Sequence, residues 1–597
     1  MENNSEIRLE YPFNSELLLR KKKSVKRKLL EQENVKWVEK KIAILGGSTT
    51  DDIKDMMEIF LLKEGIKPSF YESEYNKFWE DAMFGNPELD SFKPDLILIH
   101  TSQYNIQNWC GVSMSEERIE QCLNAEFSHY KEAWEKLEEK FGCPIIQNNF
   151  DKPLYRLLGN SDIYDFHGMS NFVYRLNGMF YEYAREHPSF HIHDIDYLSA
   201  RFGLDNWQNI QHWSMYKYAF NLRAIPEFAY SVTRIIKSIF GKNKKVLALD
   251  LDNTLWGGVV GDDGVDNLEI GPETPNGESF LAFQQYLAKV RETGVLLTVN
   301  SKNDEENALA GLNHPNNVLK PRDFALIKAN WNSKDNNLIE TAQQLNLGAD
   351  SIVFIDDNPA ERTIVHSQLP FVAVPEVKQT EDFIAAVDRA GYFEVTGLTA
   401  DDLKRNEMYK ANAERLEIQK SFANYDDYLR SLEMTAEIID FEPVNIQRIA
   451  QLTNKTNQFN LTTKRVSESE MEAIAKDGAY IRLSGRLRDK FGDNGIVSVV
   501  IGKKQGADVD MELWLMSCRV LKRGFEEAMF DELVRRCKEE NVTRIVGHYY
   551  PTAKNGMVKD FYGGLGFTKI SEDEQGNSEW EFLLENYEQK NNIIIVN

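Results

Sequence analysis

"VLALDLDNTLWGGVVGDDG", Val246–Gly264, decides how the middle of this chain is read. Its opening run is continuously apolar, as a strand buried on both faces of a parallel sheet reads. The run ends on Asp250 and Asp252, one residue apart, and then turns into glycine and more acid. Two carboxylates at the end of a buried strand repel each other, and burying them is costly unless a cation compensates. Two later apolar runs also end in chemistry. "VLLTVNS" (Val295–Ser301) ends on the Ser301 hydroxyl, and "SIVFIDD" (Ser351–Asp357) on Asp356 and Asp357. Between them "NWNSKDNNLIETAQQL" places Lys334 at a predicted helix start, with Ser333 as the expected N-cap. Open parallel sheets bind ligands beyond the carboxyl ends of their strands, so these groups are expected to converge.

Carboxylates at that density call for a hard cation, and oxygen donors combined with a phosphate group favour Mg²⁺. Lys320, in "LKPRDF", competes for the role of the ammonium but has no N-cap residue behind it.

The rest of the chain sets limits on function. At 597 residues it exceeds what one hydrophobic core serves, so three or four domains are expected. Hydrophobic residues at 42% and aromatic residues at 11% describe a globular protein. No run approaches the roughly 20 apolar residues of a membrane span. The opening "MENNSEIRLEYPFN" is acidic and polar, unlike a secretory leader. Five scattered cysteines (Cys110, Cys122, Cys143, Cys518, Cys537) lack metal-type spacing and fit reduced thiols in a cytoplasm. A net charge of −24 argues against general nucleic-acid binding, which needs a basic footprint. The basic run Leu17–Leu30 suits an anionic membrane or an acidic partner, but reads more simply as the solvated face of an amphipathic helix.

Strand-like runs alternate with helical patterns in three zones, which predicts an α/β protein of three consecutive domains: 1–241, 242–395 and 396–597. The first holds "KIAILGG", "PDLILIH" and "CPIIQNN" and closes near "GKNKK". The second holds the three acid- and hydroxyl-ended strands. A charged helical stretch, Thr399–Lys420, connects it to a third zone with strands "GIVSVVIG", "MELWLMS" and "RIVGHYY" and the helix "GFEEAMFDELVRRCKEE".

"DLDNT", Ser301, Lys334 and "DDNP", in this order, resemble the four motifs of the haloacid dehalogenase superfamily of aspartate-nucleophile phosphatases. The resemblance implies a Rossmann-like domain in which Asp250 attacks phosphorus and forms an aspartyl-phosphate. Asp252 then serves as acid and base and lends its main-chain carbonyl to Mg²⁺. Ser301 and Lys334, with Asn253 and Thr254, hold the phosphoryl oxygens, while Asp356 and Asp357 complete the metal site. The interval from Asp252 to Ser301 is too short for a large inserted cap domain, so an open site is expected.

From Lys244 onward, "NTLWGGVVGDDG", "NSKNDEENA", "FIDDNPAER", "LTNKTNQFNLTTKR" and "SCRVLKRGFEEA" together resemble the FkbH-like family. That family is credited with removing phosphate from a phosphorylated three-carbon unit and passing the glyceryl group to an acyl-carrier-protein thiol. The third zone resembles the acyl-CoA N-acetyltransferase (GNAT) fold, although "RVLKRGFE" lacks the usual Gly-x-Gly/Ala ending. Cys518 is then a candidate thioester nucleophile, activated by a following helix and by Arg519 or Arg523. The first zone, with Ser48 in "GGSTTDD" and His212 in "NIQHWS", is similar to the SGNH hydrolases, which implies a doubly wound sheet. Asn105 is the candidate for that family's Gly-Asn block, and Asn209 stands where it has a carboxylate. Two other readings stay open: a small-molecule phosphatase, or a multidomain scaffold that binds a carrier protein or pathway partner.

Overall fold

A computed structural model describes residues 7–597 apart from 33, 34, 36, 420, 457 and 553. The chain parts into two compact units. One is centred on Phe13–Ile239, and the other holds Phe240–Val466 with Met471–Asn597.

The first unit is built on β1 (Val38–Gly46), β2 (Ile66–Glu72), β3 (Leu96–His100), β4 (Ile145–Asn148) and β5 (Phe190–His193). All pairs are parallel, in the order β2-β1-β3-β4-β5. Parallel neighbours need long crossovers, and helices such as Asp51–Lys63, Glu116–Phe141 and Met169–Glu186 supply them. Trp134, Phe150, Phe172 and Phe180 pack into the core between sheet and helices. The basic run forms the helix Ser15–Leu30. It is not left wholly to solvent, because Lys22 pairs with Asp52 and Asp55 at 2.6 Å each and Lys26 with Glu58.

The second unit carries two sheets. The smaller joins β6 (Val246–Leu249), β7 (Leu296–Ser301), β8 (Leu326–Ala329) and β9 (Ile352–Ile355), all parallel, in the order β8-β7-β6-β9. β6 is central, so its alternating side chains enter two cores: Leu247 and Leu249 on one face, Val246 and Ala248 on the other. That is why its sequence is apolar throughout. Between β6 and β7 lie short turns and the helix Pro275–Glu292, with no inserted cap domain. Thr274 caps that helix, its Oγ accepting the Gly277 amide at 3.0 Å. The helix Lys334–Gln344 begins as expected after Ser333, but the Ser333 side chain makes no capping hydrogen bond.

The larger sheet holds β10 (Thr435–Ile439), β11 (Tyr480–Asp489), β12 (Gly492–Gln505), β13 (Asp508–Met516), β14 (Arg544–Tyr549), β15 (Thr568–Glu572), β16 (Ser578–Leu583) and β17 (Ile595–Val596). Its order is β15-β16-β14-β13-β12-β11-β10-β17. β13 and β14 are parallel and pair only over Asp508–Asp510 against Arg544–Val546. Where they part, Phe459–Leu461 is stitched between them. The Leu461 amide donates to Trp514 O at 3.1 Å, the Met516 amide to Phe459 O at 3.0 Å, and the Tyr550 amide to Leu461 O at 2.9 Å. The expected connector Thr399–Lys420 is two helices, Ala400–Leu403 and Arg405–Gln419; Lys420 lies outside the described residues. Among the described residues no helix is long and apolar enough to cross a membrane.

Candidate active site

Because β6, β7 and β9 run parallel, their carboxyl ends bring Asp250, Ser301, Asp356 and Asp357 to one edge of the sheet, and the next crossover returns Lys334 to the same place. The Asp250 amide donates to Ile355 O at 2.9 Å, fixing the end of β6 against β9. Lys334 Nζ lies 2.8 Å from Asp250 Oδ2 and 2.5 Å from Asp356 Oδ2, and all three side chains are buried. Lys320 is elsewhere, its Nζ donating to His314 O at 2.7 Å. Burial works against the Lys334 ammonium, but the Asp250 and Asp356 charges outweigh it, so its pKa lies above the ordinary lysine value.

Ligand oxygens of Asp250, Asp356 and Asp357 lie within 4.8 Å of one another. Burial, with the Asp250 charge adding repulsion, pushes both Asp356 and Asp357 above the usual carboxylate range. Asp250 Oδ1 is buried with no hydrogen-bond partner. An oxygen-only cluster with an orphaned oxygen and repulsion that Lys334 offsets only in part fits a hard divalent cation.

Asp252 is held apart from that cluster. Its Oδ1 accepts from Trp256 Nε1 at 2.9 Å and from the Val260 amide at 3.1 Å, and its Oδ2 accepts from Asn303 Nδ2 at 3.0 Å. Burial, together with the Asp250 charge, raises its pKa. Any share of Asp252 in a metal site therefore falls to its main-chain carbonyl.

One expected phosphate contact, that of Thr254, is corrected. Thr254 is fully enclosed, and its Oγ accepts the Asp357 amide at 3.2 Å, so it braces the acidic turn rather than facing a ligand. Asn253 adopts φ of +55°, and its Oδ1 accepts the Gly258 amide at 3.0 Å, so that oxygen is spent on its own loop. Ser301 closes β7, buried. The sequence reading missed Asn303 and Trp256, which grip Asp252. It also missed Arg362, whose guanidinium donates to the main-chain oxygens of Asp356 and Asp357 at 2.7 and 2.6 Å. The motif "NSKND" contains Asn303, but nothing local marks it as a partner of Asp252.

The remaining candidates are not part of this cluster. Cys518 follows β13 in a short 3₁₀ turn, Cys518–Val520, while the helix Phe525–Glu539 starts well beyond it. Cys518 thus stands at the end of the strand, and the helix expected to activate it begins seven residues later. Arg523 is committed to Asp489 at 3.2 Å, within a buried cluster that also ties Arg415 to Asp489 at 2.6 Å.

In the first unit, Ser48 follows β1, and Asn105 Nδ2 donates to Gly47 O at 2.8 Å. A Cβ on Gly47 would lie 2.5 Å from that nitrogen, so only glycine fits there. Ser48 Oγ and His212 Nδ1 are both buried without a hydrogen-bond partner, so Ser48 and His212 do not form the expected nucleophile–base pair. Asn209 Oδ1 accepts the His212 amide at 2.9 Å, serving as a helix cap rather than orienting the imidazole.

Residues 41–237 match the family described as the FkbH N-terminal domain. That match falls on the first unit, whereas the motifs that suggested the family lie in the second. The chain is similar to a solved structure described as the N-terminal part of protein BF1531 from Bacteroides fragilis, containing a phosphatase domain complexed with Mg. Identity is 28%, TM-score 0.58, and the likeness covers 63% of this chain and 99% of that one. Shorter likenesses include the ribosomal-protein-S18-alanine N-acetyltransferase from Escherichia coli, at 12% identity and TM-score 0.20, covering 26% of this chain and 99% of that one. An acetyltransferase of the GNAT family from Streptococcus pneumoniae matches at 15% identity and TM-score 0.21, covering 25% of this chain and 98% of that one. No curated protein matches the sequence.

Proposed function

We propose that this chain, similar over residues 41–237 to the FkbH N-terminal domain and in its fold to a phosphatase domain complexed with Mg, is an FkbH-like Mg²⁺-dependent phosphohydrolase of haloacid-dehalogenase type, coupled to transfer of a glyceryl-type acyl unit to an acyl carrier protein. The observation that carries the reading is the Asp250 carboxylate, with Lys334 on one oxygen and no partner on the other. The carboxylates of Asp250, Asp356 and Asp357, with the Asp252 carbonyl, would hold Mg²⁺, whose chemistry when bound is to offset phosphoryl charge.

The steps of this chain's own residues follow. Asp250 attacks phosphorus, and the bond from phosphorus to the leaving oxygen breaks. Lys334 and Ser301 hold the phosphoryl oxygens while negative charge accumulates on them. Asp252, whose pKa is raised by burial and by the neighbouring Asp250 charge, protonates the leaving oxygen. Asp252 then takes a proton from water, which attacks the aspartyl-phosphate, freeing phosphate and restoring Asp250. The similarity to a phosphatase domain crystallised with Mg supports this assignment.

The reading divides the chain into an SGNH-like domain (1–241), a phosphatase domain (242–395) and a GNAT-like domain (396–597), with Cys518 as the thiol that attacks the carbonyl of a three-carbon acyl phosphate, expels phosphate, and holds the acyl group as a thioester until the carrier thiol displaces it. Lys245 and Cys518 line one cavity. Lys245 precedes β6 and Asp250 follows it, so the two places lie roughly 16 Å apart along one strand. An acyl group carried on a swinging arm spans that interval without being released, which favours a carrier-bound product.

Asp250→Asn is expected to abolish the phosphoenzyme and nearly all phosphate release. A rate within tenfold of wild type, a difference of about 1.4 kcal/mol in barrier, would refute the mechanism. Incubation with Mg²⁺, phosphorylated three-carbon acids and a holo carrier protein should add a glyceryl mass to the carrier. Phosphate release with no mass gain from any acid would leave the small-molecule phosphatase.

A further inference from the structure

The cavity at the other end of β6 has a charge pattern of its own. It encloses about 360 Å³, within the range of small-molecule sites. Lys245, Arg405, Arg448, Arg519 and Lys554 line it against a single carboxylate, Asp350. Lys554 pairs with Asp350 and Arg405 with Asp402. Lys245 and Arg519 have no carboxylate partner among the described residues. Arg519 Nε donates to Ser517 Oγ at 3.2 Å, and its Nη1 reaches Met408 Sδ. Burial lowers the Lys245 pKa, with Cys518 and Asp350 acting to raise it and Arg405 and Lys554 to lower it. Cys518 is in the cavity wall. A second cavity of about 1140 Å³ shares Asn346, Tyr409, Cys518 and Arg519 with the first, and adds Tyr425, Tyr428 and Phe491.

We propose that this cavity is a second anion site, separate from the acidic cluster, which takes the phosphate group of an organic phosphate while the uncharged remainder runs past Cys518 into the larger cavity. Five cationic side chains against one lining carboxylate leave the cavity cationic, as an anionic phosphate group requires, and a guanidinium beside an ammonium supplies both forked and point-charge recognition. The phosphate group has two sources, a free phosphorylated metabolite or the phosphodiester of a carrier-bound arm. The proposal does not depend on the phosphatase reading.

The test follows alkylation of Cys518 by iodoacetamide, read by peptide mass spectrometry on the full chain in EDTA, so that no ester is hydrolysed. Glycerol 3-phosphate and a holo carrier protein are the two probes. A probe at about ten times its dissociation constant should slow Cys518 labelling about tenfold, while Cys110, in the first unit, labels as before. Protection by glycerol 3-phosphate assigns the free metabolite, protection by the holo carrier alone assigns the arm, and either supports the site. Lys245→Met should abolish the protection. Should that variant expose the buried Cys537 to reagent, Arg519→Gln takes its place with the same expected loss. No protection by either probe, or protection that persists in the folded variant, overturns the proposal.

Discussion

The Thr254 hydroxyl, fully enclosed, accepts the Asp357 amide and so fixes the turn that presents Asp357. Thr254→Val keeps the volume and removes the acceptor, leaving a buried amide without its partner at a cost of about 1–3 kcal/mol. Loss of such outer support of a metal ligand typically weakens metal affinity about 10–100-fold. The Mg²⁺ concentration for half-maximal phosphate release should rise accordingly, and an unchanged Mg²⁺ titration would show that the contact carries nothing. This contact was not legible in the sequence, because residues 254 and 357 meet only once β6 pairs with β9. Asn303 and Arg362 were hidden for the same reason. Asp250 and Lys334 were legible because a strand end and a helix start are local features, and Asp356 because it closes another apolar run.

At the scale of elements, two strand ends of the first unit carry buried histidines. His100 ends β3 and His193 ends β5. Burial lowers His100 to about 4, and burial, with the neighbouring His100 and Arg234 charges, lowers His193 to about 3. In an unfolded chain both titrate near ~6.5. The unfolded state therefore binds more protons below that value, and stability present above it is lost as pH falls towards 4. Each histidine contributes a slope of about 1.4 kcal/mol per pH unit across that window. His193→Leu should flatten the pH dependence of unfolding by that amount, measured in denaturant at pH 7, 6 and 5. A slope that does not change would mean that His193 is already charged in the folded unit. Strand legibility followed burial. β6, β7 and β9 announced themselves as unbroken apolar runs. β2 carries Pro68 at the sheet edge, and β8 is a four-residue edge strand, so neither stands out by pattern.

At the scale of the molecule, the proposed phosphate chemistry belongs to residues of the second unit, and among the described residues of the first unit Ser48 Oγ and His212 Nδ1 are left without hydrogen-bond partners. Ser48→Ala is therefore expected to leave phosphate release and carrier loading unchanged in a side-by-side assay; loss of both would give the first unit a chemical role. The Phe459–Leu461 strip between β13 and β14 bears on how the larger sheet comes into being. Its partners Trp514, Met516 and Tyr550 lie far later in the chain. During synthesis the strip has nothing to join until both strands have emerged, and the entropy of closing those long loops is lost before the hydrogen bonds form. The two halves of that sheet are thus knitted together late, after each has its own hairpins.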